Sequence, residues 1–124
     1  MEKLHGKKVV VVEDSSCIRH YLDTVLRSSG CEVFQAEHGR EAIEIIANQK
    51  IDVLVTDINM PVMDGISMLR SLYRINNNIP IPVVVLSSDI NSHREALTKL
   101  GVLAFLEKPC SVDALLLSLN RIIS

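Results

Sequence analysis

Glu13, Asp14, Asp57, Ser87 and Lys108 are the side chains whose types and settings could do chemistry together. The acids and the serine each follow directly on an apolar or β-branched run. Glu13-Asp14 closes Val9-Val10-Val11-Val12, Asp57 closes Val53-Leu54-Val55-Thr56, and Ser87 closes Val83-Val84-Val85-Leu86. Lys108-Pro109 follows Phe105-Leu106-Glu107. A lone carboxylate at the rim of a buried strand is costly unless something positive compensates it. Three carboxylates gathered there would repel and raise one another's pKa. A divalent cation removes that penalty, and magnesium, held by one or two carboxylates with water and phosphate oxygens, suits the set. With the metal and Lys108 present, Asp57 stays ionised and can attack phosphorus, since aspartyl phosphate is a known form of covalent catalysis. Phosphoryl transfer asks mainly for positioning and for cations that absorb charge on the equatorial oxygens. Magnesium, Lys108 and the Ser87 hydroxyl meet that need.

These residues form one site only if their strand ends meet. The order of strand and helix signals predicts that they do. Val9–Val12 is a β-branched run of the kind buried on both faces. Ser15 or Ser16 can cap a helix with Ile18, Tyr21, Leu22, Val25 and Leu26 on its apolar stripe, ended by Gly30. Glu32–Ala36 has polar flanks and reads as an edge strand. A short helix is expected over Glu41–Asn48, a third strand over Val53–Thr56, and a third helix with Ile66, Leu69, Leu72 and Tyr73 on one face. Asn76-Asn77-Asn78 marks a turn, and Pro82 opens the fourth strand, Val83–Leu86. Ser92-His93-Arg94-Glu95 fits a capping box for a fourth helix ending before Gly101. Val102–Leu106 is expected as the fifth strand. Ser111 is expected to cap a last helix with Val112, Leu115, Leu116, Leu119, Ile122 and Ile123 inward and Leu117 outside the stripe.

Strict alternation of strand and helix implies an α/β fold: a doubly wound, five-stranded parallel sheet of order 2-1-3-4-5, with helices on both faces. Ligands in such folds sit at the carboxyl ends of the strands, where the acids, the hydroxyl and the ammonium lie.

The bulk properties exclude several alternatives. The 124 residues suffice for one domain with one real core, and a net charge of −2 leaves no broad basic face for nucleic acid. No apolar run approaches the roughly 20 residues of a membrane span, and the valine run near the start stops at Glu13. Cys17, Cys31 and Cys110 show neither a Cys-x-x-Cys pair nor zinc spacing, which fits reduced thiols in a cytoplasmic protein. His5, His20, His38 and His93 show no ligand spacing and read as surface or helix residues.

Four segments in order carry a resemblance: Val-Val-Glu-Asp ending at Asp14, Asp57-Ile58-Asn59-Met60-Pro61-Val62-Met63-Asp64-Gly65, Leu86-Ser87-Ser88, and Phe105-Leu106-Glu107-Lys108-Pro109. Over essentially its whole length the chain resembles the response-regulator receiver domains of two-component signalling, of the chemotaxis-regulator type. The resemblance implies a flavodoxin-like (βα)5 fold and a single receiver domain over residues 1–124. It implies that Asp57 accepts a phosphoryl group from a histidine kinase or histidine phosphotransfer protein. Asp14 and Asp57 would ligate Mg2+ directly, the Asn59 backbone carbonyl would be a third ligand, and Glu13 would act through water. Ser87 would bond the phosphoryl group, Lys108 would pair with it, and the Lys108–Pro109 peptide would be cis. Ser87 and Phe105 would form a switch that reshapes the face of the fourth helix, fifth strand and fifth helix toward a downstream protein or linked output domain. A monomer or weak dimer with no direct nucleic-acid or membrane contact is expected. It would be either a stand-alone receiver or part of a longer regulator or hybrid kinase.

The chain departs from the commonest pattern of that family in three places. Ser87 replaces threonine, Ser88 stands where alanine is frequent, and Cys110 stands where phenylalanine is frequent. Asn59 and Asp89 occupy positions that tune phosphoryl lifetime in the family.

Rival functions fit less well. A phosphatase of the haloacid dehalogenase type wants a second acid two residues after its nucleophile, and here that residue is Asn59. A flavodoxin-like cofactor binder wants a Ser/Thr/Gly-rich first loop, not Glu13-Asp14, and no Gly-rich phosphate loop exists. A pseudo-receiver, an interaction module without chemistry, would have no need of the full set of five site residues. Each residue alone has a plainer role: a dipole-stabilising pair at a helix start for Glu13-Asp14, a turn cap for Ser87, a solvated charge for Lys108, and core for Phe105.

Overall fold

The structure, a computed structural model, describes residues 2–123. A short 3-10 turn, Glu2–Leu4, precedes five alternating strand–helix pairs: β1 Lys8–Val12, α1 Ser16–Ser28, β2 Glu32–Ala36, α2 Gly39–Asn48, β3 Val53–Thr56, α3 Gly65–Asn76, β4 Val83–Ser87, α4 Arg94–Lys99, β5 Ala104–Glu107 and α5 Val112–Ile122. All neighbouring strands are parallel and the order is β2-β1-β3-β4-β5. The fold is the doubly wound five-stranded sheet, and Glu32–Ala36 is an edge strand as expected.

The strand alternation feeds two cores. Val10, Val12, Leu54, Val83 and Val85 point to one face, where Ala42 of α2, Met68, Leu69 and Leu72 of α3, and Leu97 of α4 cover them. Val9, Val11, Val53, Val55, Val84 and Leu86 point to the other, against Leu22 and Leu26 of α1 and Leu115 and Leu119 of α5. Val9–Val12, Val53–Val55 and Val83–Leu86 are continuous apolar runs because both faces of the central strands are covered.

Several local expectations are corrected. Ile18 and Tyr21 are exposed at 40% and 55%, so the buried stripe of α1 is Arg19, Leu22 and Leu26. Tyr73 of α3 is exposed as well. Helix α2 begins at Gly39, earlier than Glu41: His38 Nδ1 accepts from the Glu41 N–H at 3.4 Å, and Glu41 Oε1 accepts from the Glu37 N–H at 3.1 Å. The capping box at Ser92 does not form. The Ser92 hydroxyl donates to Asp89 Oδ2 at 2.7 Å, and α4 starts after His93 with no side-chain cap bond. Strand β5 starts at Ala104, later than Val102, because the Val102 N–H returns to Leu97 C=O at 3.1 Å to close α4, with Gly101 at φ +87°.

Candidate functional site

The sheet order reverses between β1 and β3, so their carboxyl ends flank a crevice. Glu13, Asp57 and Lys108 each stand one step beyond a strand end, still hydrogen-bonded across the sheet. Glu13 N–H donates to Ala36 C=O at 3.0 Å, Asp57 N–H to Val12 C=O at 3.0 Å, and Lys108 N–H to Ser87 C=O at 2.9 Å. Each is therefore held by backbone before its side chain makes any contact.

One carboxylate oxygen from each of Glu13, Asp14 and Asp57 lies within 4.8 Å of the others. Lys108 closes the cluster: Nζ is 2.6 Å from Glu13 Oε1 and 3.1 Å from Asp57 Oδ2. Asp57 Oδ1 accepts from the Ile58 N–H at 2.7 Å. Asp14 is exposed, while Glu13 is only 2% exposed. Burial pushes the Glu13 carboxyl up to about 7; the Lys108 hydrogen bond pulls it down and the neighbouring Asp57 raises it again. For Lys108, burial works against the charged ammonium, but the bonds and charges of Glu13 and Asp57 outweigh it and hold the pKa above its ordinary value. Three hard oxygen donors on one rim form a donor set suited to a divalent cation such as magnesium.

The other expected residues lie around this centre. Ser87, at the end of β4, is fully buried, and its Oγ accepts from the Asp89 N–H at 3.1 Å. Asn59 is exposed, two residues past Asp57. The Lys108–Pro109 peptide bond is cis. Phe105 lies half-buried in β5, opposite Val85, with the Arg94 guanidinium 5.1 Å from its ring centroid.

The loop after Asp57 is tightly built. Met63 N–H donates to Pro61 C=O at 2.7 Å across Val62, whose φ of +66° is rare for a β-branched residue. Gly65 N–H donates to Ile58 C=O at 2.8 Å, bringing the start of α3 against the Asp57 backbone. A Cβ on Gly65 would collide with the Asp57 carbonyl oxygen and lie 3.0 Å from Ile58 Cα, so only glycine allows the approach.

Two arginines escape a reading of the sequence. Arg94 looks like an ordinary first-turn surface residue of a helix. Arg19 is buried, and the signal for it was its spacing: Arg19, Leu22 and Leu26 share one helical face. Among the thiols, burial raises the pKa of Cys31 and Cys110, which suits inert cysteines and not nucleophiles. No helix among the described residues is long and apolar enough to cross a membrane.

A doubly wound sheet that gathers acids, a buried serine and a lysine at its switch-point rim defines a class of signalling domains, the two-component receivers. The chain belongs to that family: the sequence model of the response regulator receiver domain matches residues 9–120. Sporulation initiation phosphotransferase F of Bacillus subtilis is 30% identical over 108 residues, covering 87% of this chain and 86% of that protein. The DNA-binding transcriptional regulator NtrC of Escherichia coli is 33% identical over 116 residues, covering 94% of this chain but only 24% of NtrC. This chain therefore spans about a quarter of NtrC's length. Among solved structures, the Vibrio cholerae chemotaxis protein CheY4 superposes with a TM-score of 0.87 at 30% identity, covering 94% of this chain and 98% of that one. The receiver domain of Francisella response regulator 1452 gives 0.87 at 34% identity, covering 95% and 97%.

Proposed function

We propose that this receiver is a phosphorylatable switch, with Asp57 as the phosphoacceptor in a magnesium-dependent reaction. The donor is the phosphohistidine of a histidine kinase or histidine phosphotransfer protein. The observation that carries the reading is the cluster itself: three carboxylates within 4.8 Å of one another, with Lys108 3.1 Å from Asp57 on one side. Asp14, Asp57 and the Asn59 backbone carbonyl would hold the ion, with Glu13 acting through water. Bound there, Mg2+ would offset the carboxylate repulsion and the charge on the phosphoryl oxygens. An Asp57 carboxylate oxygen attacks phosphorus, and an O–P bond forms as the donor's P–N bond breaks. The imidazole leaves with the electron pair and takes up a proton.

Lys108 pairs with the transferred group, and Ser87 exchanges its bond to the Asp89 N–H for one to a phosphoryl oxygen. Phe105 follows Ser87, and the face of α4, β5 and α5 shifts between two packings read by a downstream protein or a linked output domain. The family kinship and the relative named as a phosphotransferase support this signalling role, in the cytoplasm, with turnover limited to the domain's own phosphoryl group.

The test is intact-mass spectrometry with magnesium and a small acyl-phosphate or phosphoramidate donor. One phosphoryl adduct is expected, lost in Asp57→Asn. No adduct, or an adduct that survives the substitution, overturns the proposal. A magnesium–beryllofluoride titration then separates a competent receiver, which binds, from a pseudo-receiver, which does not.

A further inference from the structure

Among the described residues Arg19 is the one buried base, 8% exposed on the inner face of α1. Its guanidinium spreads over three acceptors. Nη1 donates to the Glu13 backbone carbonyl at 2.8 Å, Nε donates to Gln35 Oε1 at 3.0 Å, and Nη2 lies 3.6 Å from Glu37 Oε1. Gln35 belongs to β2 and Glu37 follows its end. The same strand takes the Glu13 N–H on Ala36 C=O at 3.0 Å, and the Arg19 N–H bonds Ser15 C=O at 2.9 Å. The Glu13 main chain is thus gripped at both ends, at its N–H by the β2 backbone and at its carbonyl by a side chain that β2 itself braces.

Stability alone is a weak reason for this arrangement. Burying a guanidinium is costly, and an apolar side chain of similar size often does as well or better in a core. What the guanidinium provides is direction, because its rigid planar fork holds its donors at fixed angles, whereas an ammonium is a point charge on a flexible stem. The direction it sets is that of the Glu13–Asp14 peptide, from which one carboxylate meets Lys108 and the next enters the three-acid cluster.

We propose that Arg19 is a positioning residue for the metal-binding acid pair, coupling edge strand β2 to the geometry of Glu13 and Asp14. The inference rests on the reading that these acids and Asp57 hold a divalent cation. Groups that orient ligands without touching the metal typically change its affinity by about 10–100-fold when removed. Arg19→Met is therefore expected to weaken magnesium binding, measured by titration calorimetry, by about 10-fold or more. Arg19→Lys keeps the charge but loses the fork, and falls between wild type and Arg19→Met. Gln35→Leu leaves Arg19 in place without its main brace and weakens binding about threefold, the worth of one modest hydrogen bond.

A second measurement needs no metal. Hydrogen exchange at the Asp14 and Ser15 amides of the metal-free protein should quicken in all three variants, while the Leu115 and Leu119 amides of α5 keep wild-type rates. If Arg19→Met does not fold, Arg19→Lys and Gln35→Leu decide the matter. Folded variants with wild-type magnesium affinity and wild-type exchange at residues 14 and 15 overturn the inference alone. A wild-type protein that binds no magnesium overturns the reading of the acid site and the inference with it.

Discussion

Gly65→Ala tests whether the backbone at the base of the Asp57 loop is as tightly packed as its geometry requires. The added methyl would run into the Asp57 carbonyl oxygen and lie 3.0 Å from Ile58 Cα and 3.3 Å from the Asp57 carbonyl carbon. All three are main-chain atoms, so no side chain can rotate away. Relief requires the first turn of α3 to move outward, stretching the 2.8 Å bond from the Gly65 N–H to Ile58 C=O. Overpacking of this kind costs roughly 1–3 kcal/mol, partly offset by up to about 1 kcal/mol of better helix propensity for alanine. The net expectation is a loss of about 2 kcal/mol, which with a urea slope of about 2 kcal/mol/M lowers the unfolding midpoint by about 1 M. The same loss lowers the thermal midpoint by roughly 6–10 °C. Amide NMR shifts should move at Asp57 and Ile58, since the collision falls on their backbone. Gly101→Ala provides the contrast: its φ is +87° but no atom lies within 4 Å of the added Cβ, so it loses stability without disturbing Asp57. An unchanged urea midpoint in Gly65→Ala, or unmoved Asp57 and Ile58 amides, refutes the close-approach argument.

Because Glu13 sits at about 7 in the fold against 4.5 ordinarily, the folded state holds its proton more tightly. Its contribution in chelator-treated protein is therefore most favourable below about pH 4.5 and is lost as pH rises toward 7, by an amount on the order of 3 kcal/mol. Urea melts across that window should show the decline in wild type relative to Glu13→Gln, and equal pH dependence in the two would contradict the burial argument. Val62→Gly removes a β-branched residue from φ +66° at an exposed position and should stabilise by up to about 1 kcal/mol, whereas a loss on denaturant melting would show that Val62 is not strained. Asp64→Ala removes the α3 cap, where Oδ1 accepts from the Ser67 N–H at 2.8 Å, and should cost about 1 kcal/mol. Ser92→Ala removes no cap and should stay within about 0.5 kcal/mol; equal losses would reinstate the capping box.

The strand-end acids were legible because an apolar run that stops on a carboxylate is informative in one dimension. Val12 to Glu13 and Thr56 to Asp57 are such stops, and alternation of elements then supplied their adjacency. What was not legible is contact at right angles to the chain. Arg19 defaults to solvent on any helix; the turn of α1 back over the end of β1 brings it to the Glu13 carbonyl, and the placement of β2 beside β1 gives it Gln35 and Glu37. The Ser92 motif was misplaced for a related reason. Its hydroxyl had a nearer acceptor in Asp89, and a short-range competitor of that kind takes the side chain before a helix can use it. Val102 is apolar and β-branched, yet closes α4, because Gly101 turns the chain back over the helix end.

The two cations at Glu13 are not equivalent. Arg19 holds the main chain from behind and is nearly sealed, whereas the Lys108 side chain, 22% exposed, shares its ammonium between Glu13 and Asp57 at the open rim. A phosphoryl charge on Asp57, as proposed, would draw Lys108 toward it and away from Glu13, while Arg19 and β2 kept the Glu13 backbone in place. The displacement would then run along β5, because the Lys108 N–H is bonded to Ser87 C=O, and Phe105 stands three residues earlier in the same strand under Arg94 of α4. A rigid acid pair on one side and a mobile ammonium on the other would bias motion toward β4, β5 and α4. On this argument the stiffness conferred by Arg19 gives the movement of Lys108 a direction.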